Sequence, residues 1–299
     1  MEAAGAGRAG ARGRPTRRAR GDTDVTATAY VHGYSDRETR RLRDQADTLA
    51  ALLHGDTAYP AGSRVLEAGC GVGAQTVHLV ANSPGARFTA VDADGESLER
   101  ARAKVAAEHP GAAVEWHHAD LYDLPFPEAS FDHVFVCFVL EHLREPERAL
   151  RALRRLLRPS GTVTVIEGDH GSAVLHPDGP HARAVIDCQV RLQAEAGGDA
   201  LIGRRLQPLL SAAGYADVRV RPRTVYADRT RPRLVEGFTR RTFIPVFEEA
   251  GRDAPALGLV TEDDWRRGIA ELYRTAEDGG TLHYTFFKAT AVNPPGPVG

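Results

Sequence analysis

The chain has 299 residues, room for one large domain or a domain carrying an insertion. Its 42% hydrophobic and 26% charged content is ordinary for a globular protein, and a net charge of -2 argues against binding nucleic acid along its length. The longest apolar run, residues 134–140, is far below the roughly 20 residues that cross a bilayer, which excludes a membrane partner; three cysteines without a C-x-x-C pair suit the cytoplasm and speak against a disulfide scaffold or a cysteine zinc site.

Residues 1–24 are Gly, Ala and Arg with almost no apolar bulk, and they read as a solvated, disordered tail. Residues 25–60 read as an N-terminal helical lid. From Ser35, Leu42, Ala46, Leu49, Ala50 and Leu53 recur at helical spacing until Tyr59-Pro60-Ala61-Gly62 breaks the pattern. Residues 61–299 form one α/β domain. Strands are expected over 64–67, 88–92, 114–118, 132–138 and 162–167, alternating with helices over 74–81, 96–108 and 146–157. That rhythm predicts a mostly parallel sheet with right-handed crossovers and helices on both faces. Helical segments over 181–195 and 203–213 lead to a sixth strand over 216–225. A partly helical, arginine-rich insertion over 228–280 precedes a last strand, TLHYTFFKATA, at 281–291.

The strongest motif is Val65-Leu66-Glu67-Ala68-Gly69-Cys70-Gly71-Val72-Gly73, between a strand and a helix. Glycines there let the backbone approach a ligand and turn tightly. Asp92 ends the next strand, 19 residues beyond Gly73, where a carboxylate can accept ribose hydroxyls. Asp120 follows the third strand. Gly69-x-Gly71-x-x-Ala74 also satisfies the dinucleotide fingerprint, so a nicotinamide oxidoreductase is the remote alternative. Glu67 argues against it, because a carboxylate repels a phosphate and suits an ammonium.

Residues 64–167 resemble the class I, Rossmann-like S-adenosylmethionine-dependent methyltransferases of small-molecule type. The segments that carry the likeness are VLEAGCGVG, FTAVDAD, HHADLYDLPF, SFDHVFVCFVLEHL and LRPSGTVTVIEGD. The resemblance implies a seven-stranded sheet whose last strand enters antiparallel. It implies S-adenosylmethionine as cofactor, with Gly69, Gly71, Gly73 and Glu67 at the methionine end, beside Gln75. Asp92 with Ala93 would hold the ribose, Asp120 with Leu121 the adenine, and Cys137 and His142 would flank the sulfonium, while Tyr34 in the lid could close over the cofactor.

The glycine loop does not choose the methyl acceptor. Glu167 ends a buried strand at the ligand edge, where burial would suit it to proton abstraction; the competing reading is a turn cap or an arginine partner. Asp169-His170 could form an oriented base pair, and no second cluster at ligand spacing supports a resident metal. Tyr30 and His32 are acceptor-side candidates in the lid. Arg240-Arg241 before Phe243 is a fork that could bind a diphosphate. The chain, with EGDHGS and GFTRRTF, is also similar to actinobacterial methyltransferases of natural-product pathways, some of which methylate a prenyl alkene carbon. That resemblance favours C-methylation of a prenyl diphosphate such as geranyl diphosphate, with Mg²⁺ as an added requirement. O- or N-methylation of another small metabolite is the alternative. A homo-oligomer is compatible with the lid packing on a partner.

Overall fold

A computed structural model describes residues 36–250, 254–255 and 257–295. Tyr30, His32 and Tyr34, and the expected tail over 1–24, lie outside the described residues. No helix among those described is long and apolar enough to cross a membrane.

The chain begins with α1 (Asp36–His54), then alternates β1 (Arg64–Ala68), α2 (Thr76–Asn82), β2 (Arg87–Asp92), α3 (Gly95–Glu108), β3 (Val114–His118) and β4 (Phe131–Cys137). A 3-10 turn (Leu140–His142) leads to α4 (Pro146–Leu156), β5 (Leu157–His176) and α5 (Pro180–Glu195). A second 3-10 turn (Ile202–Arg205) precedes α6 (Leu206–Ala212) and β6 (Ala216–Ala227). One continuous helical stretch then comprises α7 (Pro232–Leu234), a π-helix (Val235–Phe243) and α8 (Ile244–Ala250). The chain closes with α9 (Glu262–Arg274) and β7 (Thr281–Val292).

The seven strands form one sheet in the order β3-β2-β1-β4-β5-β7-β6. The contacts from β3 through β5 are parallel, and β7 enters antiparallel between β5 and β6. The strands at the centre are buried on both faces, so Val65, Leu66, Val134, Phe135, Val136, Val163 and Val165 have no exposed surface. The chain leaves β1 on one side for β2 and returns on the other for β4. The carboxyl end of β1 and β4 is therefore a topological switch point, where open α/β sheets bind ligands.

Two elements differ from the sequence expectation. β5 runs on past residue 167 to His176, because β7 pairs with it in two stretches separated by a register shift between Asp169 and Val174. Gly-Asp-His-Gly-Ser has little strand propensity of its own, and the non-local pairing supplies it. The single helix expected over 203–213 divides into the 3-10 turn Ile202–Arg205 and α6.

Candidate functional site

The glycine loop leaves β1 at the switch point. Gly69 and Cys70 donate their backbone N–H groups to Val91 O at 2.8 and 3.0 Å, which pins the loop against β2. Asp92, at the end of β2, accepts from Gly71 N at 2.7 Å and Asp94 N at 2.9 Å. Gly71 has φ +51°, and a Cβ there would meet nothing within 4 Å, so the loop presents bare backbone to open space. Glu67 is buried just below it, and its Oε2 has no hydrogen-bond partner. Burial pushes its pKa up to about 8, and the Asp92 charge adds to the rise. A buried carboxyl with one unpartnered oxygen beside an open glycine loop, and a second carboxylate at the next strand end, fit a cofactor with an ammonium group and a ribose.

The other residues expected at the cofactor lie at or after the carboxyl ends of β1 to β4. Asp120 Oδ1 accepts from Tyr122 N at 2.9 Å, and Leu121 is buried. Ala93 is exposed, and its carbonyl contacts His118 Nε2 at 2.9 Å. Gln75 presents its side chain to His54, with Oε1 to Nε2 at 2.6 Å. Cys137 is buried at the end of β4, where burial and then the Glu167 and Glu67 charges hold its thiol well above the usual range.

Past Cys137 the chain makes a sharp turn. Phe138 adopts a left-handed φ of 57°, an uncommon conformation for a bulky residue. Glu167 braces that turn: its Oε1 accepts from Val139 N at 3.0 Å and Leu140 N at 2.8 Å. The carboxyl has no exposed surface, and burial, with the Glu141 charge, raises its pKa well above the carboxylate range. Its Oε1 thus has the geometry of a turn cap, while its buried Oε2 has no hydrogen-bond partner.

Beside the turn lies a small cleft, part of it open to solvent. Part of its lining is aromatic: Phe138, Phe238, Phe243, Tyr284 and Phe286. The rest includes polar groups: Arg41 and Gln45 from α1, Glu141 and His142 from the 3-10 turn, and His170 from β5, which touches Tyr284. Gly168 also lines the cleft; a Cβ there would sit 2.6 Å from the Tyr284 hydroxyl, so only glycine lets that hydroxyl approach β5 so closely.

His170 is held from three sides. Its backbone N–H donates to Ala200 O at 3.0 Å. The preceding Asp169, almost fully buried, takes a two-pronged ion pair from Arg204 at 2.8 and 2.7 Å. Its ring Nδ1 lies 3.3 Å from the Tyr284 hydroxyl. Burial lowers the pKa of His170, partly offset by the Glu141 charge, so the ring is neutral near pH 7. His142 is likewise lowered by burial, and its Nε2 lies 3.7 Å from Glu141 Oε1.

The structure does not bring Arg240 into the cleft. Its guanidinium donates to Ala276 O at 2.8 Å and faces Glu236, which also pairs with Arg241. Phe243 does reach the cleft. Sequence reasoning missed Arg41, Gln45, Phe138, Tyr284 and Phe286. The alternation in Tyr284-Thr285-Phe286 puts both rings on one face of β7, a signal that was available. Nothing local marks Arg41.

Residues 66–165 match a methyltransferase domain family. The 27-O-demethylrifamycin SV methyltransferase of Amycolatopsis mediterranei is 31% identical over 134 residues, covering 45% of this chain and 49% of that one. The O-methyltransferase resE of Aspergillus sclerotiorum is 29% identical over 217 residues, 70% of this chain and 76% of that one. Among solved structures, the [4+2]-cyclase SpnF superimposes with a TM-score of 0.50 at 21% identity, over 85% of this chain and 82% of that one, a likeness of fold alone. The chain spans about half the length of the first curated relatives that it matches.

Proposed function

The chain belongs by domain and fold to the class I S-adenosylmethionine-dependent methyltransferases, and on that premise we propose that it methylates a hydroxyl oxygen of a small, largely apolar metabolite. The observation that carries this reading is a half-buried His170, its pKa lowered, in a cleft lined by both aromatic rings and polar side chains. The names of two relatives, a 27-O-demethylrifamycin SV methyltransferase and an O-methyltransferase, support oxygen as the acceptor atom.

Glu67, the loop Gly69–Gly73, Asp92, Asp120 and Leu121 would hold the cofactor. The bound sulfonium supplies a methyl group that is already electrophilic, so the protein's work is alignment, exclusion of water and removal of one proton. With His170 Nδ1–H donating to the Tyr284 hydroxyl, Nε2 keeps its lone pair and takes the proton of the acceptor hydroxyl. Glu141, which also lines the cleft, stabilises the imidazolium that forms. The Asp169–Arg204 pair fixes the backbone on which His170 stands.

Carbon methylation of a prenyl diphosphate calls for a basic cradle. Arg240 and Arg241 engage Ala276 O and Glu236, and the guanidinium that faces the cleft, Arg41, is itself paired with Glu38. The geometry therefore supports the oxygen acceptor better.

The test is transfer of labelled methyl from S-adenosylmethionine to a panel of phenols and alcohols, with geranyl diphosphate and Mg²⁺ as a parallel arm. His170→Asn should lower kcat/KM by roughly a hundredfold or more, the usual share of a general base. The wild-type rate should fall on the acid side as His170 protonates. Label found only in the prenyl product, or a His170→Asn rate within twofold of wild type, overturns the proposal.

A further inference from the structure

The helical stretch over residues 232–250 changes its winding in the middle, and the change is visible in its side chains. Arg241 Nε donates to Glu236 Oε1 at 2.9 Å, Thr242 Oγ1 donates to Gly237 O at 2.8 Å, and the Ile244 N–H donates to Thr239 O. Each pair is five residues apart. In an α-helix residues five apart stand roughly 140° from one another around the axis. In a π-helix, which closes its hydrogen bonds from i to i+5, they stand nearly one above the other. Single π-turns are the common form, so nine consecutive residues of this winding, Val235–Phe243, demand a reason.

The reason offered by the geometry is Phe238 and Phe243. They too are five apart, their ring centroids are 6.0 Å from each other, and both line the cleft. Phe238 packs on Tyr284 at 5.7 Å and Phe286 at 5.9 Å, while Phe243 packs on Tyr284 at 5.6 Å. α-Helical winding would turn one of the two rings away from this part of the lining. The π-helix thus converts a helix that would present one ring into one that presents two.

Resting on the acceptor cleft of the preceding section, we propose that the π-helix Val235–Phe243 is the acceptor-recognition element, and that it selects a planar aromatic ring bearing the hydroxyl over an aliphatic alcohol. Aromatic rings meet in tilted and edge-to-face contacts that gain more than their buried area alone, roughly two- to tenfold in affinity per pair. An aliphatic chain gains the area term and nothing more. The rings are almost fully buried against one another and reach the cleft only at its lining, where His170 adjoins them through the Tyr284 hydroxyl. A flat ring therefore places its faces or edges against aromatic partners with its hydroxyl toward His170.

The experiment uses the full chain with S-adenosylhomocysteine present and two probes, 2-naphthol and 1-decanol. Binding is measured by calorimetry, and methyl transfer from labelled S-adenosylmethionine is followed in parallel. Wild-type protein should bind 2-naphthol at least tenfold more tightly than 1-decanol. Phe238→Leu and Phe243→Leu keep apolar bulk but remove one ring each. Each should cut that preference at least threefold without changing the Kd for S-adenosylhomocysteine. Deleting Thr239 takes one residue out of the wide turn, and should abolish the preference altogether; if that variant fails to fold, the two leucine variants still decide. Equal binding of the two probes, or leucine variants with the wild-type preference, overturns the proposal. A preference for 2-naphthol without methyl transfer to any hydroxyl leaves the recognition element standing and removes the oxygen-methylation reading instead.

Discussion

Two glutamates are buried at the ligand edge of the sheet, and their surroundings give them different work. Glu67 has an oxygen without a partner and a pKa held near 8 by burial, with Asp92's charge adding to it. Its folded value lies above its unfolded one. The stability it contributes is therefore present below about pH 4.5 and is lost as pH rises toward 8. At pH 7 the carboxyl is protonated in the free protein, and a bound ammonium would restore its charge. Binding of S-adenosylmethionine at pH 7 should therefore release a fraction of a proton, read by calorimetry in two buffers of different ionisation enthalpy. Glu67→Gln should release none and bind more weakly; buffer-independent heats for the wild type would refute this. Glu167 also has an unpartnered Oε2, but its Oε1 accepts from the Val139 and Leu140 amides. Glu167→Gln keeps an acceptor oxygen there, and should retain most activity and the wild-type melting temperature. Glu167→Ala leaves two N–H groups at the Phe138 turn unpaired and should destabilise by about 2–4 kcal/mol in urea titration. If Glu167 were the catalytic base, the glutamine variant would be inactive yet fully stable, so the pair of variants separates the two roles.

At the scale of elements, what could be read from the sequence is what depends on local pattern. The central strands are apolar runs between helical periods, and β3 (Val114–His118) has the expected bounds because turn residues flank it on both sides. The continuation of β5 through Gly168 and His170 was hidden, because its partner β7 lies more than 100 residues away. The π-helix was hidden for another reason: Val-Glu-Gly-Phe-Thr-Arg-Arg-Thr-Phe carries no composition that distinguishes it from an α-helix, and only the rings it must present select the winding. The arginine fork at 240–241 read as a ligand site because residue type was visible and its partners Ala276 and Glu236 were not. A further long-range tie joins the elements. Lys288, buried on β7, donates to Leu53 O at the end of α1, to Asp56 Oδ1 at 2.6 Å and to Thr57 Oγ1. Lys288→Met removes all three bonds. Asp56 is half-exposed and also pairs with Arg223, so the loss should be nearer 2 kcal/mol than the 3–5 of a fully buried pair. A chemical-denaturation midpoint unchanged by this substitution would show that α1 does not need the tie.

For the molecule as a whole, α1 matters because it contributes to two places at once. Leu49 and Leu53 are fully buried in the main core, Ala46 packs on Val72 and Ala74 of the glycine loop, and Arg41, Leu42 and Gln45 line the cleft. How firmly α1 is docked therefore sets how well the acceptor cleft is formed. Its last residue, His54, is buried against Phe135, stacks on His78 at 5.9 Å, and makes its bond to Gln75 with one ring nitrogen while the other has no partner. Burial lowers its pKa to about 4, and His78 is lowered as well. The sign follows from the proton count. Between about pH 6.5 and 4 the unfolded chain binds a proton at His54 that the folded chain does not, so stability is lost as pH falls through that window, by about 3 kcal/mol over its full width. Glu67 acts in the opposite sense over part of the same range, so the slope must be taken as a difference between two proteins. His54→Gln carries no titrating ring. The stability of the wild type relative to His54→Gln, from urea unfolding at pH 7.5 and pH 5, should shrink by about 2 kcal/mol on acidification. A difference that stays constant would mean that His54 protonates without disturbing the fold. A difference that shrinks would show that acid loosens α1 from the sheet, and acceptor binding, which needs Arg41 and Gln45 in place, should weaken over the same pH range.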